Sequence, residues 1–522
     1  MATTDFIAAI QLGSSHISAM AGRKTSDGGV ELLAHARAEA SSFIHKGVVF
    51  NIDKAAAALN AVIAQLEEQL HAEVAQVYVG IGGQSLHGLK NMVDRNVNED
   101  ENTVSQALVD ALCDENRGTP LADLTILDVV PQEYKVDRTL QVDPVGVTGR
   151  HVVGQYLNLV ANTTLKKNID LAFDQAQLKV ADDLLVSALV TAKAVITPTE
   201  MRQGCAFVDI GADTTTLSIY KNSLLRHFVV LPIGSHNITR DLTSLKIEEE
   251  EAESLKCQYG DAAYDELTAD KEASCLTSGG QAIPLVELNN IISARAEEIL
   301  ANVWNQISIS GFENQLYAGT IFVGGGAQLK GLEEAYRKLT KSERVKVAKK
   351  PVFAVEGNLP QGVNDGSWTG VIALIFAGQE NCRRPEKVQP AVQKPTANQP
   401  AEPAHGTMSS ATSNEAQDMN LFSDDEEWKR QEEQLRIRKE MERKQREAEA
   451  GKAPKEHEEH EAGHTANGET KSGAKHNGKK GGNQGKKRGF GLGGFFSDLA
   501  ENFLTGREND DAFDDSETKN KE

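Results

Sequence analysis

Apolar positions follow two spacings along the chain until about residue 382, where the composition changes. Short apolar runs closed by Gly, Asp or Ser alternate with longer stretches in which apolar residues recur every three or four positions. The short runs predict buried strands, and the longer stretches predict amphipathic helices. Their alternation predicts an α/β fold for roughly the first 380 residues.

Helical spacing is clearest over residues 53–70, where Leu59, Val62 and Leu66 share one face. Core packing is the simplest function of that face. Further helices are predicted over residues 104–112, 165–176, 182–195, 287–311 and 367–376. Between the helices predicted over residues 104–112 and 165–176, short strands are predicted over residues 125–130, 134–136 and 156–160.

Three of the apolar runs end in turns rich in glycine and small polar residues. The first turn, at residues 13–15, and the second, at residues 211–214, are β-hairpins of the same form whose backbone N–H groups can face a phosphate. Asp209, just before the second turn, is placed to hold a hydrated Mg²⁺. The third turn lets a base or ribose approach bare backbone. Three such turns predict a nucleotide held between two related domains. Their predicted contact residues are Gln11, Gly13, Ser14, Ser15, Asp209, Gly211, Asp213, Thr214, Gly324, Gly325, Gly326 and Gln328.

The order of these turns resembles the superfamily of actin, heat-shock chaperone and sugar kinase ATPases. Two further motifs, over residues 126–137 and 143–149, resemble the FtsA family of bacterial actin-like division proteins within that superfamily. The resemblance implies a two-lobed, actin-like ATPase fold with a small α+β subdomain inserted in the first lobe. In that family the inserted subdomain serves self-association and contacts with other division proteins.

The resemblance also implies domain boundaries. The actin-like subdomain 1A is predicted over residues 1–83, 163–202 and 363–381, interrupted by the inserted subdomain 1C over 84–162. Subdomain 2A is predicted over 203–243 and 318–362, and subdomain 2B over 244–317. A disordered charged linker over 382–485, an amphipathic helix over 486–506 and an acidic tail over 507–522 follow.

Other residues receive roles only from the resemblance. Gly234 would let the chain pass close to phosphate at a helix start. Glu253 and Lys256 would hold the ribose hydroxyls and the adenine edge, although without the resemblance a surface ion pair is the preferred reading.

A second site implied by the resemblance lies on the predicted helix over residues 287–311. There Arg295 and Glu298 would dock the acidic, apolar tail of the tubulin-like protein FtsZ. Ala294 stands where the family usually has proline, and a pair between Arg295 and Glu298 is the alternative.

Three positions depart from the superfamily pattern. Gln11 stands where related proteins place Asp or Glu, so metal binding should weaken and fast hydrolysis is not expected. His16 stands where a lysine or another phosphate contact is common. Asp213 replaces a glycine, and it is either a compensating ligand of Mg²⁺ or water, or an Asp that tolerates a left-handed turn.

Composition limits the classes of function. The chain has 522 residues, a net charge of −21 and five scattered cysteines without metal-ligand spacing. These features predict more than one domain and a reducing compartment, and they argue against general nucleic-acid binding. No apolar segment resembles a signal peptide or approaches the length of a membrane span, which predicts a cytoplasmic protein.

The end of the chain combines a basic run with apolar residues at helical spacing. Attachment to anionic lipid is favoured over a partner-docking helix because the FtsA family carries a membrane-targeting helix at this place. The residues predicted to contact the membrane are Lys487, Arg488, Leu492, Phe495, Phe496, Leu499, Phe503 and Leu504.

Together these features predict an adaptor of cell division that binds ATP and Mg²⁺, self-associates, and anchors FtsZ filaments to the cytoplasmic membrane at the division site. It would recruit later division proteins and have at most weak ATPase activity, with no catalytic residue evident. The alternatives are an actin-fold ATPase or kinase, and a scaffold of the pilus-assembly type.

Overall fold

The computed structural model describes residues 5–97, 102–267, 270 and 272–385. The predicted linker, amphipathic helix and acidic tail therefore lie outside the described residues, apart from the first four positions of the linker. Within the described part, no helix is both long and apolar enough to cross a bilayer.

Strands make up most of the framework of the described chain. In chain order they are β1 (Ile7–Leu12), β2 (His16–Lys24), β3 (Val30–Glu39), β4 (Ile44–His45), β5 (Val48–Val49), β6 (Gln76–Ile81), β7 (His87–Asn96), β8 (Leu124–Val136), β9 (Thr139–Gln141), β10 (His151–Asn162), β11 (Lys179–Val180), β12 (Leu185–Val186), β13 (Cys205–Ile210), β14 (Thr215–Lys221), β15 (Leu224–Leu231), β16 (Ser274–Leu276), β17 (Ala282–Pro284), β18 (Gly319–Val323), β19 (Val345–Val347) and β20 (Val355–Gly357).

Helices cover these sheets. They are α1 (Ile52–Leu70), α2 (Gln106–Arg117), α3 (Thr163–Ala176), α4 (Ser187–Val195), α5 (Pro198–Gln203), α6 (Ser235–Leu242), α7 (Glu249–Tyr259), α8 (Leu285–Ile309), α9 (Leu332–Thr340) and α10 (Thr369–Ala377). Helix α1 begins where the Asn51 side chain accepts a hydrogen bond from the Lys54 N–H at 3.0 Å, and it ends at His71, whose φ is 50°.

The first lobe is built on a mixed sheet in the order β11-β6-β1-β2-β3-β20, with β12 also paired to β6. Strands β1 and β2 are antiparallel, whereas β1 and β6 are parallel. Helices α1 and α3 pack together, with α1 on β2 and β3, while α10 packs on β1, β2, β6 and α4. This arrangement places the end of β1 beside the start of α10.

The second lobe is built on strands in the order β19-β18-β13-β14-β15. Its central strand β13 is buried on both sides, which explains its continuous apolar sequence. Cys205 and Phe207 belong to the core of the first lobe, whereas Ala206 and Val208 belong to a second core formed with α6, α8 and α9. One strand therefore joins the two hydrophobic cores.

The inserted subdomain continues the sheet of the second lobe through a single pairing of Val229 in β15 with His87 in β7. From there the strand order is β7-β10-β8-β9, and α2 covers the sheet over a small core of its own. The expected α+β unit after the first piece of the first lobe is present.

Four predicted boundaries are wrong for physical reasons. The strand predicted over residues 156–160 is longer, because β10 pairs with β7 from His151 onward. Strand β8 is continuous where two strands were expected, because Pro131 is accommodated where the register with β10 shifts. Helix α4 begins at Ser187 rather than at residue 182, because the preceding residues form β12. Helix α2 is shifted toward the C-terminus relative to the prediction, since Ser105 caps its first turn by accepting a hydrogen bond from the Leu108 N–H.

Candidate functional site

The first two glycine turns have the same backbone geometry. Gly13 N–H donates to the His16 carbonyl at 3.1 Å between β1 and β2, and Gly211 N–H donates to the Thr214 carbonyl at 2.8 Å between β13 and β14. In each hairpin the last strand pair stands directly before and after the four-residue turn. The prediction that the two hairpins have the same form is confirmed.

Helix α6 begins directly after Gly234, as expected, and its first residues are hydrogen-bonded to the second turn. Ser235 N–H donates to the Gly211 carbonyl at 2.9 Å, and His236 N–H donates to the Ala212 carbonyl at 2.8 Å. A Cβ atom at Gly234 would clash with the Ala212 carbonyl. Glycine at this position therefore lets the start of α6 contact the backbone of the second turn.

The third turn lies beside the end of β13. Gly324 has a φ of 90°, and a Cβ atom there would overlap the Asp209 carboxylate and the Ile210 carbonyl. Gly326 packs on Ile210, whereas a Cβ atom at Gly325 would meet no atom within 4 Å. The outer two glycines are thus required by packing, and the middle one borders open space.

Asp209 and Gln11 occupy equivalent positions in the two lobes, each fifth in a six-residue strand that leads into a glycine turn. Asp209 is recessed, and the structure gives its carboxylate no hydrogen bond or ion pair with a described residue; desolvation raises its pKa to about 6. The Gln11 amide lies against Gly370 at the start of α10. A desolvated carboxylate without a protein partner suits a hydrated cation, and the amide adds an uncharged hydrogen-bonding group.

No cluster of three or more His, Cys, Asp or Glu side chains suited to a metal occurs within the described ranges. A cation at Asp209 would therefore depend on water and on a bound ligand for its other contacts. This donor set fits Mg²⁺, which usually keeps several waters, better than a metal that needs an all-protein cage.

The structure contradicts one interpretation of Asp213 from the sequence and shows a contact that neither interpretation included. Its φ is not positive, so the turn is not left-handed there. Its carboxylate accepts a hydrogen bond from the Lys46 N–H at 2.8 Å and lies 3.1 Å from His45 Nδ1. Because the segment between β4 and β5 belongs to the first lobe, Asp213 connects the second turn to that lobe. Sequence reasoning missed this contact, which joins residues far apart in the chain.

The first turn contacts the same segment. Ser14 Oγ accepts a hydrogen bond from the Gly47 N–H at 3.0 Å. Ser15 Oγ lies 3.0 Å from His16 Nδ1. Burial lowers the pKa of His16, against the opposing effect of Glu39, so the ring is neutral near pH 7.

Glu253 and Lys256 form a pair, but it is not a simple surface pair. Lys256 is 6% exposed, and its Nζ contacts Glu253 Oε2 at 2.6 Å, Thr239 Oγ1 at 2.9 Å and the Ser235 carbonyl at 3.2 Å. Although desolvation opposes it, the Lys256 charge holds the pKa of Glu253 below its usual value. Lys256 therefore connects α7 to α6 by hydrogen bonds. Glu253 is half-exposed and is the residue of this pair that a ligand can reach.

A separate cavity of about 720 Å³ lies between α6 and α8. The Arg295 guanidinium contacts both oxygens of Asp241, at 2.5 and 3.1 Å, and Glu298 at 2.5 Å. The predicted pair of Arg295 with Glu298 is present, and Asp241 is a partner that the sequence did not indicate. Arg240 lines the same cavity with an exposed side chain, which forms no hydrogen bond or ion pair with any of the described residues.

The residues predicted to contact a membrane, from Lys487 to Leu504, lie outside the described part of the chain. The other predicted site residues fall into the two places described above. Those at the three turns meet where the lobes face each other, and Gly234, Glu253 and Lys256 adjoin the second turn. Arg295 and Glu298 line the cavity on α8.

Comparison with known proteins identifies both the core of the chain and its inserted subdomain. The model of the family described as cell division protein FtsA matches residues 206–365, and the model of the SHS2 domain inserted in FtsA matches residues 83–158. Cell division protein FtsA from Porphyromonas gingivalis is 32% identical over 342 residues, which cover 64% of this chain and 70% of that protein. FtsA from Neisseria meningitidis is 28% identical over 341 residues, covering 64% and 81%.

Among solved structures, the PilM–PilN type IV pilus biogenesis complex superposes with a TM-score of 0.51 at 14% identity, covering 71% of this chain and 98% of that one. This likeness concerns the fold alone. The architecture is that of an actin-like protein with two lobes and an inserted SHS2 subdomain. Because a relative at 32% identity is matched over most of its length, the chain belongs to the FtsA family of cell division proteins.

Proposed function

We propose that this chain is a membrane adaptor of cell division, which binds ATP with Mg²⁺ between its lobes and attaches FtsZ filaments to the cytoplasmic membrane. The observation that carries the nucleotide part is that two turns of the same form lie at the cleft with the Asp209 carboxylate, which has no partner among the described residues. Backbone N–H groups of such turns bind phosphate, and the carboxylate supplies the negative charge that a hydrated Mg²⁺ requires.

Each element of the cleft has a role in this proposal. The turns at Gly13 and Gly211 would hold the phosphates, and the third turn would face the base or ribose. Glu253 would accept hydrogen bonds from the ribose hydroxyls, with Lys256 holding it in place. Mg²⁺, when bound, would neutralise phosphate charge, and Gln11 would orient water without adding charge. ATP would thus stabilise the closed arrangement of the lobes, with slow hydrolysis at most.

Gly325 offers the sharpest test of the nucleotide proposal. A side chain there enters open space without a left-handed φ, so Gly325→Asp should fold while placing a carboxylate in the cleft. We expect isothermal titration with ATP and Mg²⁺ to show binding by the unmodified protein and none by this variant, because like charges repel. Gly279→Asp, in the turn between β16 and β17, is the matched control and should bind normally. Equal ATP affinity in Gly325→Asp would rule out the proposed site.

The cavity between α6 and α8 supports the proposal that the FtsZ tail docks there. Arg295 uses three of its five N–H donors on Asp241 and Glu298, so two remain for an incoming carboxylate. Arg240 adds a second cation, and Ile291 and Ala294 add apolar surface to the lining. Asp241 and Glu298 offset the charge of Arg295, so complementarity to a peptide that is both acidic and apolar depends on Arg240, on the two remaining N–H donors of Arg295 and on these apolar side chains.

The inserted subdomain supports the proposals of self-association and of contacts with later division proteins. Three of its large apolar side chains are strongly exposed: Met92 at 69%, Leu140 at 62% and Val142 at 66%. Leu140 lies in the edge strand β9 and Val142 directly follows that strand, so the two form an exposed apolar pair at one edge of the sheet, and an apolar patch of this kind is typical of interaction surfaces.

The proposed attachment to the membrane depends on the sequence from Lys486 to Leu504. Six apolar side chains on one helical face would each gain roughly 1.5 to 3 kcal/mol on full burial, and each basic residue about 1 kcal/mol near anionic lipid. Ordering the helix offsets much of this gain, so attachment would be reversible and peripheral, on the cytoplasmic side of the membrane at the division septum.

A further inference from the structure

Arg37, in β3, is a half-buried cation whose nearest contacts are all uncharged. Its Nε donates to Ser18 Oγ at 3.2 Å, its Nη2 donates to the Ser367 carbonyl at 3.4 Å, and its guanidinium carbon lies 3.9 Å from the centre of the Trp368 ring. No carboxylate of the described residues forms an ion pair with it. Desolvation lowers the pKa of Arg37, and Asp365 only partly opposes this. The described part of the protein thus holds a poorly hydrated positive charge that Asp365 compensates only in part.

The strand register places this charge on the wall of the nucleotide cleft. Gln11 pairs with Ser18 across β1 and β2, and Ser18 pairs with Arg37 across β2 and β3. Residues that pair directly across neighbouring strands share one face of the sheet, so the three side chains form a polar row. The row starts at the residue that leads into the first glycine turn.

The opposite side of Arg37 adjoins the third turn. Ser367, which accepts its hydrogen bond, follows Gly366, and a Cβ atom at Gly366 would lie 3.2 Å from Gln328 Nε2. The charge of Arg37 also lowers the pKa of His16 in the first turn, although burial is the larger cause. Arg37 is therefore near elements of both turns.

Apart from Lys46, whose backbone lies beside Asp213, the other cleft residues described above supply little positive charge. Lys256 is held by three partners, His16 is neutral near pH 7, and Asp209 and Glu253 are acidic. A nucleoside triphosphate brings several negative charges into this space, so a cation is needed to balance them. Of the five N–H groups of Arg37, three are not engaged by Ser18 or Ser367.

We propose that Arg37 binds the phosphate chain of the nucleotide. The inference depends on the proposed binding of ATP in this cleft. The alternative is that Arg37 only supports the wall of the first lobe by stacking on Trp368. The two roles predict different affinities when Arg37 is removed. If Arg37 binds phosphate, the loss of affinity should grow with the number of phosphates in the ligand, whereas a supporting role predicts the same loss for every ligand.

The test is isothermal titration of ATP, ADP and adenosine into full-length protein carrying Arg37→Ala or Arg37→Lys. Arg23→Ala is the matched control, because Arg23 lies in neighbouring β2 and pairs with Glu31 instead of facing the cleft. We expect Arg37→Ala to weaken ATP binding about tenfold or more, as for loss of a charge-assisted hydrogen bond. ADP binding should weaken less, adenosine binding should not change, and Arg37→Lys should retain more ATP affinity than Arg37→Ala.

Two results would overturn the inference while the ATP proposal stands. One is wild-type ATP affinity in Arg37→Ala, and the other is an equal loss for ATP and adenosine, which a purely supporting role predicts. Far-ultraviolet circular dichroism of both variants checks that they are folded. If the unmodified protein itself binds no ATP, the proposed function fails and the inference fails with it.

Discussion

At the scale of single residues, Asp209 is a desolvated carboxylate that has no hydrogen-bond or ion-pair partner among the residues that the structure describes. Desolvation raises its pKa to about 6, above the ordinary value of 3.8. A raised pKa in the folded state means that the ionised carboxylate costs stability above pH 6, and that this cost disappears as the pH falls through the window from 6 to about 4.

We therefore expect Asp209→Asn to stabilise the ligand-free protein at pH 8 by about 1 to 3 kcal/mol, and to have little effect at pH 4. Thermal unfolding at the two pH values, in buffer with a chelator, measures the difference. Asp213→Asn serves as a contrasting variant, because Asp213 has partners in the first lobe and its replacement should not stabilise the protein. A melting temperature of Asp209→Asn at or below that of the unmodified protein at pH 8 would contradict this account of the carboxylate.

Residue types and spacing were enough to locate the two matching turns, but not the partners of individual side chains. The left-handed turn considered for Asp213 is wrong, its role as a ligand of Mg²⁺ or water stays a prediction, and its contacts with His45 and the Lys46 backbone were not predicted. Arg37 gave no signal, since an arginine within an alternating strand is expected to face solvent. Contacts between residues far apart in the chain depend on strand register and lobe packing, which one sequence does not specify.

At the scale of elements, α6 serves both candidate sites. Its first turn rests on the second glycine turn through Ser235, and its last turn presents Arg240 and Asp241 to the cavity beside α8. A shift of this helix would therefore change the surroundings of both sites. The helix is predictable from its glycine start, whereas its contact with α8 through Arg295 depends on the tertiary fold.

Arg240 is suited to a test of the cavity because its side chain has no hydrogen-bond or ion-pair partner among the described residues, so its removal leaves none of their charges unpaired. We expect Arg240→Ala to weaken binding of an acidic FtsZ C-terminal peptide about three- to tenfold, as for loss of one charged contact at a partly exposed site. Fluorescence anisotropy with labelled peptide measures the affinity. Arg202→Ala, an exposed arginine on α5, is the matched control. Unchanged affinity in Arg240→Ala would exclude this cavity as the docking site.

Elements with strong periodicity were predicted to within a few residues, as α1 and α8 show. The errors arose where local signals conflict with pairing. Pro131 suggested a break in a strand that continues through a shift in register, and the residues before α4 joined a sheet edge as β12 instead of forming its first turn. Sheet pairing overrode local preference in both places.

At the scale of the whole molecule, the proposed adaptor has a cavity for FtsZ on its second lobe and a lipid-binding segment near the end of the chain. If the linker predicted from the sequence over residues 382–485 is a random coil, its r.m.s. length would be on the order of 50 to 60 Å. This length would allow the folded part to bind filaments at a distance from the bilayer. Mutations should therefore be able to remove binding to FtsZ without removing binding to lipid, and the reverse.

The most direct test of the adaptor is co-sedimentation of the full-length protein with anionic lipid vesicles in the presence of a labelled FtsZ C-terminal peptide. We predict that protein and peptide pellet together with the vesicles, and that deletion of residues 489–522 leaves both in the supernatant. Arg240→Ala should pellet while carrying less peptide. A full-length protein that stays in the supernatant, or that pellets without any peptide, would contradict the proposed link between FtsZ and the membrane.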